Sequence, residues 1–184
     1  MLVEAEVWTV ARTDQGNAVL VRPQEGEIAV PIFIGQLEAQ SILIGMGNVP
    51  MPRPLTHDLF LSLSNELNSE VVRIEITSLQ DSTFYAQLII SHGGHEISID
   101  ARPSDCLAIA VRKKCPIYID ESVLDEAGIK VEAISEAAAE TLAQESIEDK
   151  RKDLQKRLDT AISEEDYEEA ARLRDELKRL DDQS

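Results

Sequence analysis

The feature that most constrains the fold is an apolar pattern that occurs twice in the chain, 69 residues apart. Shifting residues 2–34 by this distance places apolar positions on apolar positions without a gap. Residues 19–21, for example, align with residues 88–90, and all six are apolar. Self-similarity at a fixed spacing is typical of repeated structural units. The sequence therefore predicts two copies of one supersecondary unit.

Each copy contains three stretches that alternate between apolar and polar residues and then one apolar helix. In the first copy the predicted strands are residues 2–11, 18–21 and 27–33, and the predicted helix is residues 36–46. Period-two alternation indicates strands, and the turns between them are too short for parallel crossovers. The prediction is an α+β fold whose antiparallel sheet is built from two β-β-β-α repeats.

Between the two copies, a loop with three prolines leads into a second predicted helix at residues 56–67. Thr56 is the predicted N-cap of this helix. Four apolar side chains at helical spacing are predicted to form its inner face. These are Leu59, Phe60, Leu63 and Leu67.

A cluster of polar side chains stands at the start of the second-copy helix. Its members are Asp100, Arg102, Ser104 and Asp105, and Ser104 is the predicted N-cap. Polar groups beside a buried apolar helix are costly unless they pair, cap the helix or bind a ligand. One interpretation is a capped helix with an Asp–Arg pair. The first copy has Phe-Ile-Gly at the aligned positions 33–35, which favours a functional role.

His57 and Asp58, at the start of the helix between the copies, are the other candidates for chemistry. A histidine can act as general acid or base near neutral pH, and we predict catalytic roles for His57, Asp58, Asp100 and Asp105. Asp58, Asp100 and Asp105 are candidate ligands for Mg²⁺ or Mn²⁺. The predicted substrate-binding residues are Glu38, Arg53, Thr56, Arg102 and Ser104. The alternative is that residues 56–58 only cap a helix.

The charge of the chain argues against tight, non-specific nucleic-acid binding. The formal net charge is −17, of which residues 1–131 contribute −9 and residues 132–184 contribute −8. Proteins that bind nucleic acids usually present a basic face to the phosphates. Cys106 and Cys115 lack metal-ligand spacing, and we expect reduced packing residues in a cytoplasmic protein. No apolar run is long enough to span a membrane.

Composition changes after residue 131, and we predict three domains or segments. These are a compact domain at 1–131, a helical or flexible linker at 132–144, and a helical hairpin at 145–184. The hairpin has an apolar stripe that we expect to bind a protein partner or another copy of the chain. The predicted contact residues are Tyr167, Ala171, Leu173, Leu177 and Leu180. The alternative is a helical tail folded onto its own domain.

Residues 1–131 resemble the bifunctional nuclease domain family. The motifs that carry the resemblance are RPLTHDL at 53–59, FYAQL at 84–88 and IDARPSDCLAIAVR at 99–112. The family usually has Ala at position 106, which supports a packing role for Cys106. The resemblance implies a barrel-like antiparallel sheet built from two similar repeats. It also implies the DNase and RNase activity described for plant members.

Residues 145–180 resemble the UvrB/UvrC-type (UVR) interaction motif, mainly through DYEEAARLRDELKRL at 166–180. This resemblance implies docking to another protein. Two hypotheses follow for the whole chain. The first is a nuclease that hydrolyses phosphodiester bonds in DNA or RNA with the help of a metal ion. The second is a non-catalytic adaptor or a ligand-binding scaffold, and for both we expect a homo-oligomer.

Overall fold

The structure is a computed structural model, and it describes residues 1–13, 16–24, 26–132, 154–160 and 172–174. The chain divides into two compact units, Met1–Ile134 and Ser135–Ser184. In the described part of the first unit, eight strands form one sheet, and four helices are described over their full length. The strands are β1 (Leu2–Thr13), β2 (Gly16–Pro23), β3 (Ile28–Ile34), β4 (Ser69–Gln80), β5 (Thr83–His92), β6 (His95–Ala101), β7 (Ile117–Asp120) and β8 (Ile129–Lys130). The helices are α1 (Gln36–Met46), α2 (Thr56–Glu66), α3 (Pro103–Lys113) and α4 (Glu121–Ala127).

The sheet consists of two antiparallel meanders joined by one short strand. The strand order is β6-β5-β4-β7-β1-β2-β3-β8. β7 lies between the meanders, antiparallel to β1 and parallel to β4. The mixed α+β class is therefore confirmed, although the sheet is not purely antiparallel. The barrel-like closure is not confirmed, because the order ends in β6 and β8 and the sheet stays open.

The element order β-β-β-α occurs twice, but the spacing between the two occurrences is 67 residues rather than 69. Each element of the second set begins 67 residues after its counterpart, and the paired starts are Leu2/Ser69, Gly16/Thr83, Ile28/His95 and Gln36/Pro103. The sequence alignment missed this because side chains on a strand alternate with period two. A shift of two residues preserves the alternation. The origin of the two β-β-β-α repeats by duplication stays a prediction.

The core lies between the sheet and the apolar helices. Strand residues such as Val21, Ile74 and Ile76 are fully buried together with Ile42 of α1 and Leu107 of α3. Helix α1 packs against α3, and α2 also contacts α3. The predicted burial of the second-copy helix is confirmed. These contacts bring the starts of three helices close to one another.

Cys106 on α3 is a packing residue. It is fully buried in the core, and burial raises the pKa of its thiol to about 12. A thiol that stays protonated at neutral pH is a poor nucleophile and a poor metal ligand.

Helix α2 faces the core with a different side from the one that its leucines predicted. Leu59, Leu63 and Leu67 are exposed, by 62%, 55% and 59%. Phe60 instead packs against the core, and Ser64 is buried, where its hydroxyl donates to the carbonyl of Ser69 at 2.9 Å. The predicted inner face is confirmed for Phe60 and wrong for the three leucines, because tertiary packing turns the side of α2 that carries Phe60 and Ser64 towards the core.

The starts of α2 and α3 also differ from prediction. Arg102, not Ser104, is the N-cap of α3, and the helix begins with Pro103. Proline suits the first helical position because its φ angle is preset and its missing N–H has no partner there in any case. Ser104 is therefore buried in the first turn. Leu55 is the N-cap of α2, and Thr56 is its first residue.

In the second unit, residues 154–160 and 172–174 are helical. Leu154, Leu158 and Leu173 are buried. The other predicted partner-binding residues, Tyr167, Ala171, Leu177 and Leu180, lie outside the described residues, as do positions 133–144 of the predicted linker. Among the helices that the structure describes, none combines the length and apolar character needed to cross a membrane.

Candidate functional site

The first turns of α1, α2 and α3 line a single cleft of about 470 Å³. α1 contributes Glu38 and Ser41, α2 contributes His57, and α3 with its N-cap contributes Asp105 and Arg102. Arg102 has extended backbone angles, φ −67° and ψ 142°. This conformation is the one favoured before a proline. All five side chains are polar, although apolar residues also line the cleft.

Asp105 forms a bidentate ion pair with Arg102. Arg102 Nε lies 2.8 Å from Asp105 Oδ2, and Nη2 lies 3.1 Å from Oδ1. Burial by itself raises the pKa of Asp105, but the hydrogen bonds and charge of Arg102, helped by His57, outweigh it. The pKa of Asp105 therefore lies below its usual value. Asp105 is a carboxylate at neutral pH and cannot act as a proton donor there.

His57 lies between a hydroxyl and this carboxylate. Its Nδ1 is 2.9 Å from Ser41 Oγ, and its Nε2 is 3.5 Å from Asp105 Oδ1. We assign the ring proton from this pattern. A carboxylate only accepts, so Nε2 carries the proton that faces Asp105. Nδ1 of the neutral ring then accepts from the Ser41 hydroxyl.

Glu38 connects the two copies through Arg102. Arg102 Nη1 lies 3.1 Å from Glu38 Oε1, across 64 residues of sequence. With His57 neutral, the charges of Glu38, Asp105 and Arg102 give this cleft a net charge of −1. An anionic substrate therefore meets one cation and two carboxylates here, which limits its affinity.

These contacts can support acid–base catalysis. Ser41 is hydrogen-bonded to His57, and His57 lies within ion-pair distance of Asp105, an order of groups similar to that in hydrolases that use a serine nucleophile. The two ring nitrogens have exchanged partners relative to the serine proteases, in which Nε2 faces the serine. Sequence analysis predicted His57 and Asp105 but missed Ser41. A signal was present, because Glu38 and Ser41 are three residues apart and share one face of an apolar helix.

A second polar cluster surrounds Arg112 in an adjacent cleft. The Arg112 side chain is 7% exposed, and its Nε lies 2.9 Å from Asp58 Oδ1. Its Nη1 donates to the carbonyls of Ser41 and Ala108, at 3.0 and 2.8 Å. Arg112 thus connects α1, α2 and α3 behind the first cleft. No role was predicted for Arg112 from the sequence, because it lies near the C-terminal end of a helix that is predicted to be buried in the core.

The remaining predicted site residues are divided between the clefts and the surface. Thr56 is exposed and lines the cleft of His57, whereas Arg53 lines the adjacent cleft with Asp58. Asp100 is exposed on β6, and neither it nor buried Ser104 lines the cleft of His57. The structure therefore does not assemble the predicted residues into one site.

The predicted metal ligands do not fit a divalent cation. Asp58 is paired with Arg112, Asp105 is paired with Arg102, and Asp100 lies apart from both. Within the described part of the chain, no group of three or more His, Cys, Asp or Glu side chains is arranged to hold a metal ion. A metal ion would have to displace an arginine from each of the two paired carboxylates, so we derive no reaction step from a metal.

A further cleft of about 480 Å³ lies between α2 and β6 and is almost wholly apolar. Its one histidine, His92, accepts or donates a hydrogen bond of 2.8 Å with Ser69 and is exposed. Binding sites usually combine apolar walls with a few convergent polar groups. The cleft of His57 meets that description better because it adds a carboxylate and an arginine to the Ser–His pair.

Comparisons with known proteins agree with the division of the chain. Residues 19–132 match the family described as the bifunctional nuclease domain, and residues 148–183 match the UvrB/uvrC motif. An uncharacterised protein of Mycobacterium tuberculosis (strain CDC 1551 / Oshkosh) is 41% identical over 135 residues. That match covers 73% of this chain and 80% of the mycobacterial protein.

Two plant proteins with functional names are similar over a longer stretch. Bifunctional nuclease 2 of Arabidopsis thaliana is 26% identical over 179 residues, covering 88% of this chain and 54% of that protein. Bifunctional nuclease 1 of the same plant is 28% identical over 178 residues, covering 87% and 55%. The chain thus spans about half the length of these plant relatives.

Proposed function

This chain belongs to the bifunctional nuclease domain family and carries a UvrB/uvrC motif, and from that premise we propose that the cleft of His57 hydrolyses phosphodiester bonds in DNA or RNA. The observation that carries the proposal is the arrangement of three side chains. The Ser41 hydroxyl is hydrogen-bonded to His57 Nδ1, and His57 Nε2 lies 3.5 Å from Asp105 Oδ1, with Arg102 beside it. A phosphodiesterase needs a proton acceptor, an attacking oxygen and a cation for the developing charge.

His57 is the proton acceptor, and Ser41 supplies the attacking oxygen. As Ser41 Oγ forms a bond to phosphorus, its proton moves to Nδ1 of His57. The bond from phosphorus to the leaving oxygen breaks, and that oxygen takes the proton from His57. A water molecule then attacks phosphorus while His57 accepts its proton. The bond from phosphorus to Ser41 Oγ breaks, and Ser41 Oγ takes that proton from His57, so that the enzyme returns to its starting state. Asp105 keeps the Nε2 proton in place and stabilises the imidazolium.

Arg102 is the group that faces the phosphate. A guanidinium has five N–H donors, and Arg102 uses three of them on Glu38 and Asp105. The two that remain are free to bind phosphate oxygens, and the side chain is 65% exposed to the cleft mouth and solvent. Glu38 and Asp105 also fix the plane of the guanidinium, which reduces the entropy lost on binding.

The test is cleavage of single-stranded RNA and DNA by the purified chain, with Mg²⁺ and with EDTA. His57→Ala and Ser41→Ala should each lower kcat by a factor of about 10²–10⁴, which is the usual contribution of a positioned base. His92→Ala is the matched control, because His92 also hydrogen-bonds a serine but makes no ion pair with a carboxylate among the residues that the structure describes. It should cleave like the parent. Mass spectrometry of acid-quenched mixtures should detect a phosphoester on Ser41.

Three outcomes would contradict the proposal. Cleavage that survives in His57→Ala means that the activity comes from elsewhere or from a contaminant. Cleavage by neither parent nor variants means that the domain is not a nuclease under these conditions. Full activity in Ser41→Ala with loss in His57→Ala removes the serine step, and leaves Ser41 as a group that only orients the ring.

A second candidate function is favoured by charge. The cleft carries a net charge of −1 and the chain a net charge of −17, which both oppose a polyanionic substrate. In this alternative the domain is a non-catalytic adaptor or ligand-binding scaffold, and the polar chain of hydrogen bonds holds three helices together. The same assay decides, since an adaptor cleaves nothing and His57→Ala changes only its stability.

For the second unit, we propose that residues 148–183 form a helical hairpin that docks a protein, including a second copy of this chain. The motif match and the helical residues 154–160 and 172–174 support this proposal. Leu177→Asp with Leu180→Asp should reduce the sedimentation coefficient of the full chain. Unfolding of the first unit, followed by the single tryptophan Trp8, should stay unchanged. A parent chain that sediments as a monomer would exclude self-association.

A further inference from the structure

Arg112 has a feature that its structural contacts leave unexplained. Its Nη2 is buried and has no hydrogen-bond partner. Among the described residues, it is the one buried side-chain nitrogen or oxygen that lacks such a partner. Its other nitrogens are satisfied by Asp58, Ser41 and Ala108. Buried polar groups in native proteins almost always have a hydrogen-bond partner. The unpaired Nη2 therefore points to a ligand that binds at this nitrogen.

Arg112 lines a cleft of about 420 Å³, which lies beside the cleft of His57 and shares Ile44 and Met51 with it. Arg53 lines the same cleft, is exposed, and makes no ion pair within the part of the chain that the structure describes. The remaining charged residue is Asp58, whose Oδ1 accepts from Arg112 and whose Oδ2 accepts from the backbone N–H of Leu55. The cleft therefore has a net charge of +1.

The charge and the donors together select the ligand. A cleft with two arginines and one fully engaged carboxylate attracts an anion rather than a cation, and the net charge of −17 on the whole chain weakens this attraction. The guanidinium is planar and matches the oxygens of a phosphate. The lining of the cleft also includes the apolar residues Val49, Pro54 and Leu61, which suit the organic part of a small phosphate ester.

We propose that this cleft is a phosphate-binding site, formed by Arg53 and by Nη2 of Arg112, that is separate from the cleft of His57. Its ligand is a phosphate group, either inorganic or carried by a small ester such as a mononucleotide. The site does not depend on the proposed nuclease activity, because neither arginine takes part in that chemistry. Nη2 is shielded from solvent, so the side chains that cover it shift when the anion binds.

The experiment measures binding of inorganic phosphate, adenosine 5′-monophosphate and adenosine to the full chain by isothermal titration, at constant ionic strength set with chloride. Phosphate and the nucleotide should bind, and adenosine should not. Arg53→Gln should weaken phosphate binding about tenfold, since it removes one charge-assisted contact from an exposed side chain. Arg12→Gln, the same charge change at another exposed arginine outside the cleft, is the matched control.

A variant at Arg112 tests the buried nitrogen without removing its charge. Arg112→Lys keeps the positive charge near Asp58 but has no forked donor, and it should lose phosphate binding while the chain still unfolds cooperatively. If Arg112→Lys is too unstable to titrate, the Nε–H resonance of Arg112 in the parent chain should shift on addition of phosphate. Three results would overturn the proposal: equal weakening by Arg53→Gln and Arg12→Gln, equal binding of adenosine and the nucleotide, or an unmoved Arg112 resonance.

Discussion

Replacing Asp58 by alanine tests whether Arg112 organises the three helices that form both clefts. In the native structure Asp58 Oδ1 faces Arg112 Nε at 2.9 Å, and Oδ2 accepts from the N–H of Leu55 at 2.9 Å. Asp58→Ala removes the only carboxylate that Arg112 contacts in the described structure. It leaves a guanidinium that is 7% exposed with two carbonyl acceptors and no counter-charge.

The expected loss follows from the burial of the two partners. Removing one member of a fully buried ion pair costs about 3–5 kcal/mol. The Asp58 side chain is 35% exposed, so water partly screens this pair. Loss of the ion pair should therefore lower the free energy of unfolding by about 2 kcal/mol. Losing the hydrogen bond at the helix start adds about 1 kcal/mol. The free energy of unfolding should therefore fall by about 3 kcal/mol.

The assay is urea unfolding followed by Trp8, which reports on the first unit alone. With a typical slope for a domain of this size, the midpoint should fall by about 2 M. Glu70→Ala is the matched control, because Glu70 pairs at 2.8 Å with Lys113, the next residue on α3, and is exposed. Its midpoint should barely move. Equal shifts for the two variants would refute the reasoning that burial makes the Asp58 pair important.

Two further predictions concern neighbouring contacts. Gly45→Ala should destabilise the first unit and broaden the Arg112 Nε–H resonance. The reason is that the added Cβ would lie 2.9 Å from Arg112 Nη1 and 2.6 Å from a methyl group of Val111. An unchanged unfolding midpoint and an unchanged spectrum would contradict this prediction. For Asp105, the pKa is lower in the folded chain than in the unfolded chain, so its contribution to stability is present at neutral pH and is lost as the pH falls through the carboxyl range towards the folded pKa. The stability difference between the parent and Asp105→Asn should therefore shrink on acidification in urea unfolding measured at several pH values, and a difference that grows would refute it.

Local structure was largely predictable because it depends on near neighbours. The bounds of α1 at Gln36–Met46 agree with the predicted helix. The offset between the two halves was not predictable to the residue, because strand alternation repeats every two positions. The inner side of α2 was not predictable from hydrophobicity, since its leucines lie on the exposed side and the buried side carries Ser64 together with Phe60.

The candidate site was predictable in part. The pattern of polar residues at helix starts identified Arg102 and Asp105, and the chemistry of histidine identified His57. Ser41 and Arg112 were missed because each lies within a helix that reads as apolar core. Asp100 was included because it is adjacent in sequence to the cluster, yet the chain turns at Arg102 and leaves it exposed on β6.

The sequence by itself determined the class of the fold and the order of the strands and the helix within each copy, since periodicity acts over a few residues. Only the tertiary structure decided which side chains meet. Arg102 reaches Glu38 across 64 residues, and Arg112 reaches Asp58 across 54. Both contacts exist because α3 packs against α1 and α2. That packing separated the predicted polar residues into two clefts, one with an acid–base chain and one with a buried arginine that lacks a partner.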